Sequence, residues 1–309
     1  MSAQIYSTIA TLCATKKWQD VKSYLSTIHT DDQEIVSFIQ TYYDIFEHKK
    51  NQIQTKDDSI RYVLDKYEQY MRWIFTNEVT TESCKEYLVT LYQEEFPNVH
   101  TWEELEKELQ QFFETKGYYC LVGITPPYPD LYVWKTRKKE RKQVEILEQV
   151  VEMNVYEMSD VLVAGWYGYF TLNKRGAAGW VSDDGAYYFA HHYDTDSEDF
   201  QVSLLKHEAQ HFWDLKQNPN MPSYELEYRA KLIELIYYQT ESRLLTFLEM
   251  LGDSKEEPHP YANKQILTRL SRKIFSKELE TDPLAWKSHY KTVRKEAKEL
   301  LKACNSNNI

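Results

Sequence analysis

The residues best equipped for chemistry lie within five positions, His207-Glu208-Ala209-Gln210-His211. On an α-helix, residues four apart stack on one face, so His207 and His211 are expected to aim two imidazole nitrogens at a single ion. Glu208 follows the first histidine, which swings its carboxylate toward the place where a water beside that ion would lie, ready to take its proton. The chemistry implied is zinc-assisted hydrolysis. Such a pattern also arises by chance, so its surroundings carry weight. At about 100° per residue, His207, His211 and Asp214 fall together beside Leu204, Leu215 and Glu208, while Lys206, Gln210 and Lys216 lie outside that arc. Trp213 breaks the pattern by falling near Lys206.

A catalytic zinc takes three protein ligands, and the acidic stretch Tyr224-Glu225-Leu226-Glu227-Tyr228-Arg229-Ala230 begins a second expected helix soon after the first. Glu227 is the preferred third ligand. Between it and His211 there is room for the first helix to end near Asn218-Pro219, for a turn through Asn220-Met221-Pro222-Ser223, and for an antiparallel return. Ala230, one turn beyond Glu227, is small enough to let the two helices approach closely. Glu234 lies on the same face and is expected to orient a ligand through a hydrogen bond. Asp214 is expected to support a ligand histidine in the same way, with a direct ligand role for it left open. His191 and His192, adjacent at the end of an expected strand, point to opposite sides and are poor ligands.

His207-Glu208-x-x-His211 followed by Glu227-x-x-Ala230 resembles the gluzincin type of zincin metallopeptidase. The resemblance implies one Zn2+ held by His207, His211 and Glu227, Glu208 as general base, and peptide hydrolysis as the reaction. It further implies a small antiparallel sheet whose edge strand binds the substrate backbone beside the metal. The chain lacks the Gly-x-x-His continuation of metzincins and the Asn-Glu-x-x-Ser-Asp string of thermolysin-like enzymes, so no subfamily's specificity carries over. A Tyr, His or Arg near the metal often stabilises the oxyanion in such enzymes, and Tyr228, Arg229, Tyr237, Tyr238, His259 and His289 are all open for that part.

The elements that must position these residues are legible in outline. Leu162 to Leu172, Ala178 to Ser182 and Ala186 to Ala190 read as short strands ahead of the motif, with Val150 to Tyr156 as one more. Asp130 to Trp134 and Gln143 to Leu147 read as the arms of a hairpin whose tip is the charged run 135–142. Before Pro126, Pro127 and Pro129 the periodicity is helical: Asp32 to His48, Ser59 to Phe75, Glu82 to Glu95 and Thr101 to Lys116. Thr101-Trp102-Glu103-Glu104 has the form of a capping box. The expectation is an α+β protein, mostly helical, with a helical N-terminal domain over 1–125 and a zincin-like catalytic domain over 126–309. Within the latter, 130–192 is strand-rich, 200–217 and 223–251 are the metal helices, and 261–303 forms the C-terminal helices.

Composition bounds the setting. The 309 residues are 42% hydrophobic and carry a net charge of −11, enough apolar material for one or two cores and a balance that argues against nucleic acid or an anionic membrane as partner. The four cysteines form no CxxC pair and read as reduced thiols. The opening Met1-Ser2-Ala3-Gln4-Ile5-Tyr6 has neither a basic n-region nor a long apolar run, so a cytoplasmic location is expected. The reading is a cytoplasmic zinc peptidase acting on a peptide or protein substrate. The alternatives are a zincin-fold binding or regulatory protein, and a structural zinc site without turnover.

Overall fold

The computed structural model describes residues 2–15, 18–125, 127–147, 149–174, 179–182 and 184–306. The protein is α+β with a curled five-stranded mixed sheet, and its chain divides into two compact units, 1–137 with 158–177 and 138–157 with 178–309. The boundary expected at residue 125 is therefore displaced. Two long strands, β2 (Tyr128–Ile146) and β3 (Gln149–Ala164), each contribute to both units.

The first unit holds α1 (Ser2–Thr15), α2 (Trp18–Ser26), α3 (Gln33–Phe46), α4 (Asp58–Thr76), α5 (Thr81–Tyr92) and α6 (Trp102–Thr115), then β1 (Tyr119–Thr125). Local sequence explains where the helices begin. Asp32 and Asp57 accept backbone N–H groups at the starts of α3 and α4, and Thr101 and Glu104 form the reciprocal capping box at α6. The aromatic residues at helical spacing form the core: Trp18, Tyr42 and Phe75 are buried, and Phe75 stacks on Phe170 at 4.4 Å. β1 pairs antiparallel with β2 from Tyr119↔Trp134 to Thr125↔Tyr128.

The hairpin expected at 130–147 is instead the single strand β2. Its charged middle stays extended because those side chains find partners: Arg137 stacks over Tyr119 at 4.3 Å, Lys139 lies over Tyr156 at 5.5 Å, and Arg141 pairs with Glu152 at 2.5 Å. The strand expected at Leu162 to Leu172 also ends early. Gly165, at φ +73°, turns the chain out of β3 into the short helix α7 (Gly165–Phe170), whose Trp166 N–H donates to Asp130 Oδ1 at 2.6 Å. A Cβ on Gly165 would fall 2.7 Å from Asp130 Oδ2, so only glycine fits that turn.

Two acids are buried among the described residues of this unit. Glu68 accepts from Gln52 N, Ile53 N and Tyr169 OH through one oxygen, while its other oxygen has no hydrogen bond, and burial pushes its carboxyl up to about 7. Burial likewise raises Asp130 to about 6. A carboxyl that holds its proton more tightly when folded stabilises the fold fully below its ordinary range, and that stability is lost as pH rises through the folded value. For Glu68 the window runs from about 4.5 to 7, a shift equivalent to about 3 kcal/mol. Glu68→Gln is expected to shrink the stability difference between pH 5 and pH 8 by about 2 kcal/mol, as read by urea unfolding followed through tryptophan fluorescence. An unchanged difference would show that Glu68 does not set it.

The second unit contains β4 (Gly179–Ser182) and β5 (Gly185–Phe189), a 3₁₀ turn at Ala190–His192, and a π-helix at Asp199–Lys206. There follow α8 (His207–Gln217), α9 (Ser223–Tyr237), α10 (Ser242–Glu249), α11 (Pro258–Phe275), α12 (Pro283–Ser288) and α13 (Tyr290–Ser306). Ala178, expected to begin β4, lies outside the described residues. The sheet, in the order β1-β2-β3-β5-β4, is mixed rather than wholly antiparallel as expected. β4 pairs antiparallel with β5 and stands at the sheet edge. Helix α9 is the hub. Every residue from Glu227 to Leu235 is buried, and α8, α11 and α13 all pack against it.

Two expected helices are corrected. The segment before His207 is wound as a π-helix, so the 100° wheel holds only from His207 onward. The helix expected over 223–251 breaks after Tyr237, where Tyr238 adopts an extended conformation, its hydroxyl donating to Asp199 while Gln239 N–H donates to Glu198. Those anchors pull the chain off the helical path. No described helix is long and apolar enough to cross a membrane.

Candidate metal centre

Helix α8 carries His207 and His211 on one face, and the return through Asn218–Pro222 brings Glu227 opposite them on α9. The three ligand atoms lie within 4.8 Å of one another, and all three residues are buried. His211 Nε2 stands 3.2 Å from Glu227 Oε1, and His207 Nε2 stands 3.6 Å from Glu227 Oε2. Tetrahedral zinc with ligands at about 2.05 Å separates its ligand atoms by about 3.3 Å, so the spacing fits such an ion. The donor set agrees. Glu227 Oε2 and His211 Nδ1 are buried without a hydrogen bond, and a set of two imidazoles and one carboxylate suits zinc.

The contacts behind His207 are specific. His207 Nδ1 lies 2.6 Å from Glu234 Oε1, which fixes Nε2 as the nitrogen facing Glu227. Glu234 is fully buried and is held in turn by Arg243 Nε and, at 3.4 Å, by Ser203 Oγ. Ser203 also meets Tyr238 OH at 2.8 Å, and Tyr238 donates to Asp199. The π-helix therefore supplies two members of this chain, Asp199 and Ser203. Glu234 makes the hydrogen bond to His207 expected of it; Asp214 makes none to either histidine. Arg229 Nε and Gln210 Nε2 both donate to Asp214 at 2.8 Å, and no hydrogen bond joins it to His207 or His211. Buried Arg229 attracts the carboxylate, and Gln210, placed outside the arc by the wheel, is buried to reach it.

Electrostatics follow this wiring. Burial works to lower the His207 basicity, but Glu227 and Glu234 outweigh it and hold the imidazole proton well above the ordinary range. Burial works to raise Glu227 and Glu234; the cationic groups around them, His207 foremost, keep both below the usual carboxylate range. A proton so held would compete with a metal for His207. Binding of Zn2+ at pH 7 is expected to release about one proton, and apparent affinity to rise about tenfold per pH unit from 6 to 8. Calorimetry in buffers of different ionisation enthalpy reads this directly, and zero proton release would contradict the arrangement.

Glu208 is 8% exposed and neighbours His207 on α8. Its negative field reaches Tyr193, whose phenol is pushed up to about 12 by burial first and by Glu208 next. Among the six residues open as oxyanion donors, Arg229 is engaged with Asp214 and Tyr228 with Arg269. Tyr237 accepts from Leu147 N–H, Tyr238 binds Asp199, and His289 meets Ala285 O. His259, by contrast, stands with Nδ1 2.8 Å from Glu227 Oε2. His191 and His192 stand outside the metal-capable group. Sequence reasoning missed Ser203, Tyr193, Arg243 and Lys231, whose positive field also helps to lower Glu234. Lys231, one turn beyond Glu227, was the most findable, since its spacing marks it as buried on the ligand face.

Beside the helix pair lies β4. A Cβ on Gly179 would sit 2.8 Å from Leu204 Cδ1 and 2.4 Å from Tyr187 O, so the bare glycine lets the edge strand press close to the π-helix and to β5. β4 also packs on α8. Comparison with protein-family models, with curated proteins and with solved structures found no match.

Proposed function

We propose that the protein is a zinc-dependent hydrolase, a metallopeptidase of gluzincin type, acting on a peptide or protein substrate. The observation that carries this reading is the buried His207, His211 and Glu227 group at zinc spacing with Glu208 adjoining it. Bound there, Zn2+ would polarise the scissile carbonyl and lower the pKa of a water to about 7.

The chain's own residues do the rest. His207 and His211 offer their Nε2 atoms, and Glu234 fixes the His207 ring so that its lone pair faces the ion. Glu208 takes the proton of the attacking water and gives it to the leaving nitrogen as the C–N bond breaks. An extended peptide laid along β4 would add a strand to the sheet edge beside α8, with backbone hydrogen bonds supplying sequence-tolerant affinity. A cytoplasmic location belongs to the same proposal. The direct test is the zinc content of the purified chain, with cleavage of a broad peptide library. One zinc per chain with cleavage supports the reading, zinc without cleavage favours a binding or structural role, and no zinc removes its foundation.

A further inference from the structure

We propose that His259 is a positioning residue for the metal centre, its ring steadying the Glu227 carboxylate so that Glu227 presents one oxygen to the ion. This rests on the metal reading of the preceding section. Of the two ligands with a polar neighbour, His207 is oriented by Glu234 from within the core. Glu227 has no such internal partner for Oε2, which is buried and makes no well-formed hydrogen bond. His259 Nδ1 is 2.8 Å from that oxygen, short of hydrogen-bond alignment by angle and not by distance. Ligating carboxylates are generally held by a further donor, and His259 stands where that donor belongs.

The mount is as telling as the contact. The His259 side chain is 57% exposed, yet the backbone beneath it is tightly constrained. Pro258 and Pro260 flank it in the first turn of α11, each with φ fixed by its ring. Gly252 N–H donates to Pro260 O at 3.1 Å, and a Cβ on Gly252 would fall 2.7 Å from Pro260 Cβ. Asn263 Nδ2 donates to Met250 O at 2.8 Å, closing the loop between α10 and α11 from the other side. A solvent-facing histidine with no task would need no such frame. His259 is also outside the set of residues whose ligand atoms converge within 4.8 Å, which separates a partner of the carboxylate from a fourth ligand.

The test uses the full-length chain stripped of metal and titrated with Zn2+ by competition, and with Co2+ by its visible spectrum. His259→Ala is expected to weaken Zn2+ binding about 10- to 100-fold, as loss of a group that orients a ligand does. His259→Asn, whose amide nitrogen takes the place of Nδ1, is expected to recover most of that loss, and all variants should give the native cobalt spectrum. Gly252→Ala, which displaces Pro260 without touching the centre, is expected to weaken binding in the same direction. Native-like affinity in His259→Ala would overturn the proposal. So would an altered cobalt spectrum without rescue by asparagine, which would make His259 a ligand. If the native chain binds neither metal, the metal reading itself fails and this inference with it; if the native chain binds and His259→Ala binds equally, only this inference fails.

Discussion

Glu208→Gln is expected to keep one zinc per chain while hydrolysing peptides about 10²- to 10⁴-fold more slowly, the usual worth of a positioned general base. The substitution preserves size and removes only the capacity to accept a proton. Glu208 adjoins His207 but does not belong to the converging group of His207, His211 and Glu227, so metal retention and turnover should separate cleanly. Single-turnover rates on a cleaved library peptide, together with metal analysis of the same preparation, read both quantities. Equal rates in the two proteins would remove Glu208 from the mechanism, and zinc loss in the variant would recast it as part of the metal's support.

Glu227 and Glu234 make the second contrast, because their removal should damage different properties. Dividing the about 10–16 kcal/mol of a four-ligand zinc site equally gives about 2.5–4 kcal/mol per ligand, so Glu227→Ala is expected to weaken zinc binding about 10²- to 10³-fold. Glu234→Ala removes an orienting partner and should cost about 10- to 100-fold, toward the low end if the His207 ring keeps its place. In the metal-free protein the order reverses. Glu234 is fully buried against Arg243 and His207, with Lys231 adding a further positive field, so its loss leaves buried cations uncompensated at about 3–5 kcal/mol. Urea unfolding with chelator present and zinc titration of the refolded variants should therefore rank the two mutants oppositely. A larger zinc defect in Glu234→Ala would exchange the roles of the two glutamates.

What the sequence discloses here follows from how far each interaction reaches. The proximity of His207, His211 and Glu227 was legible because it needs only a helical period, a turn at Asn218–Pro222 and a second helix. Helix starts at Asp32, Asp57 and Thr101 were equally local. The failures are all tertiary. Strand β2 stays extended through its charged run because of cross-strand partners, and α7 forms where Gly165 turns beside Asp130, 35 positions earlier in the sequence. Tyr238 leaves the helix because Asp199 and Glu198 hold it and the residue after it. Asp214 looked like a histidine's partner on the wheel, but Arg229 from α9 reaches it first. His259 lies 32 positions after Glu227, and nothing local links the two.

The edge strand β4 bears on solubility as well as on recognition. An unpaired sheet edge is a template for any extended chain, including another copy of the same protein, and long flat edges of this kind seed aggregates. The described stretch of β4, Gly179–Ser182, carries no charged side chain to blunt such an edge. The opening that would let a peptide pair with it is therefore equally open to another copy.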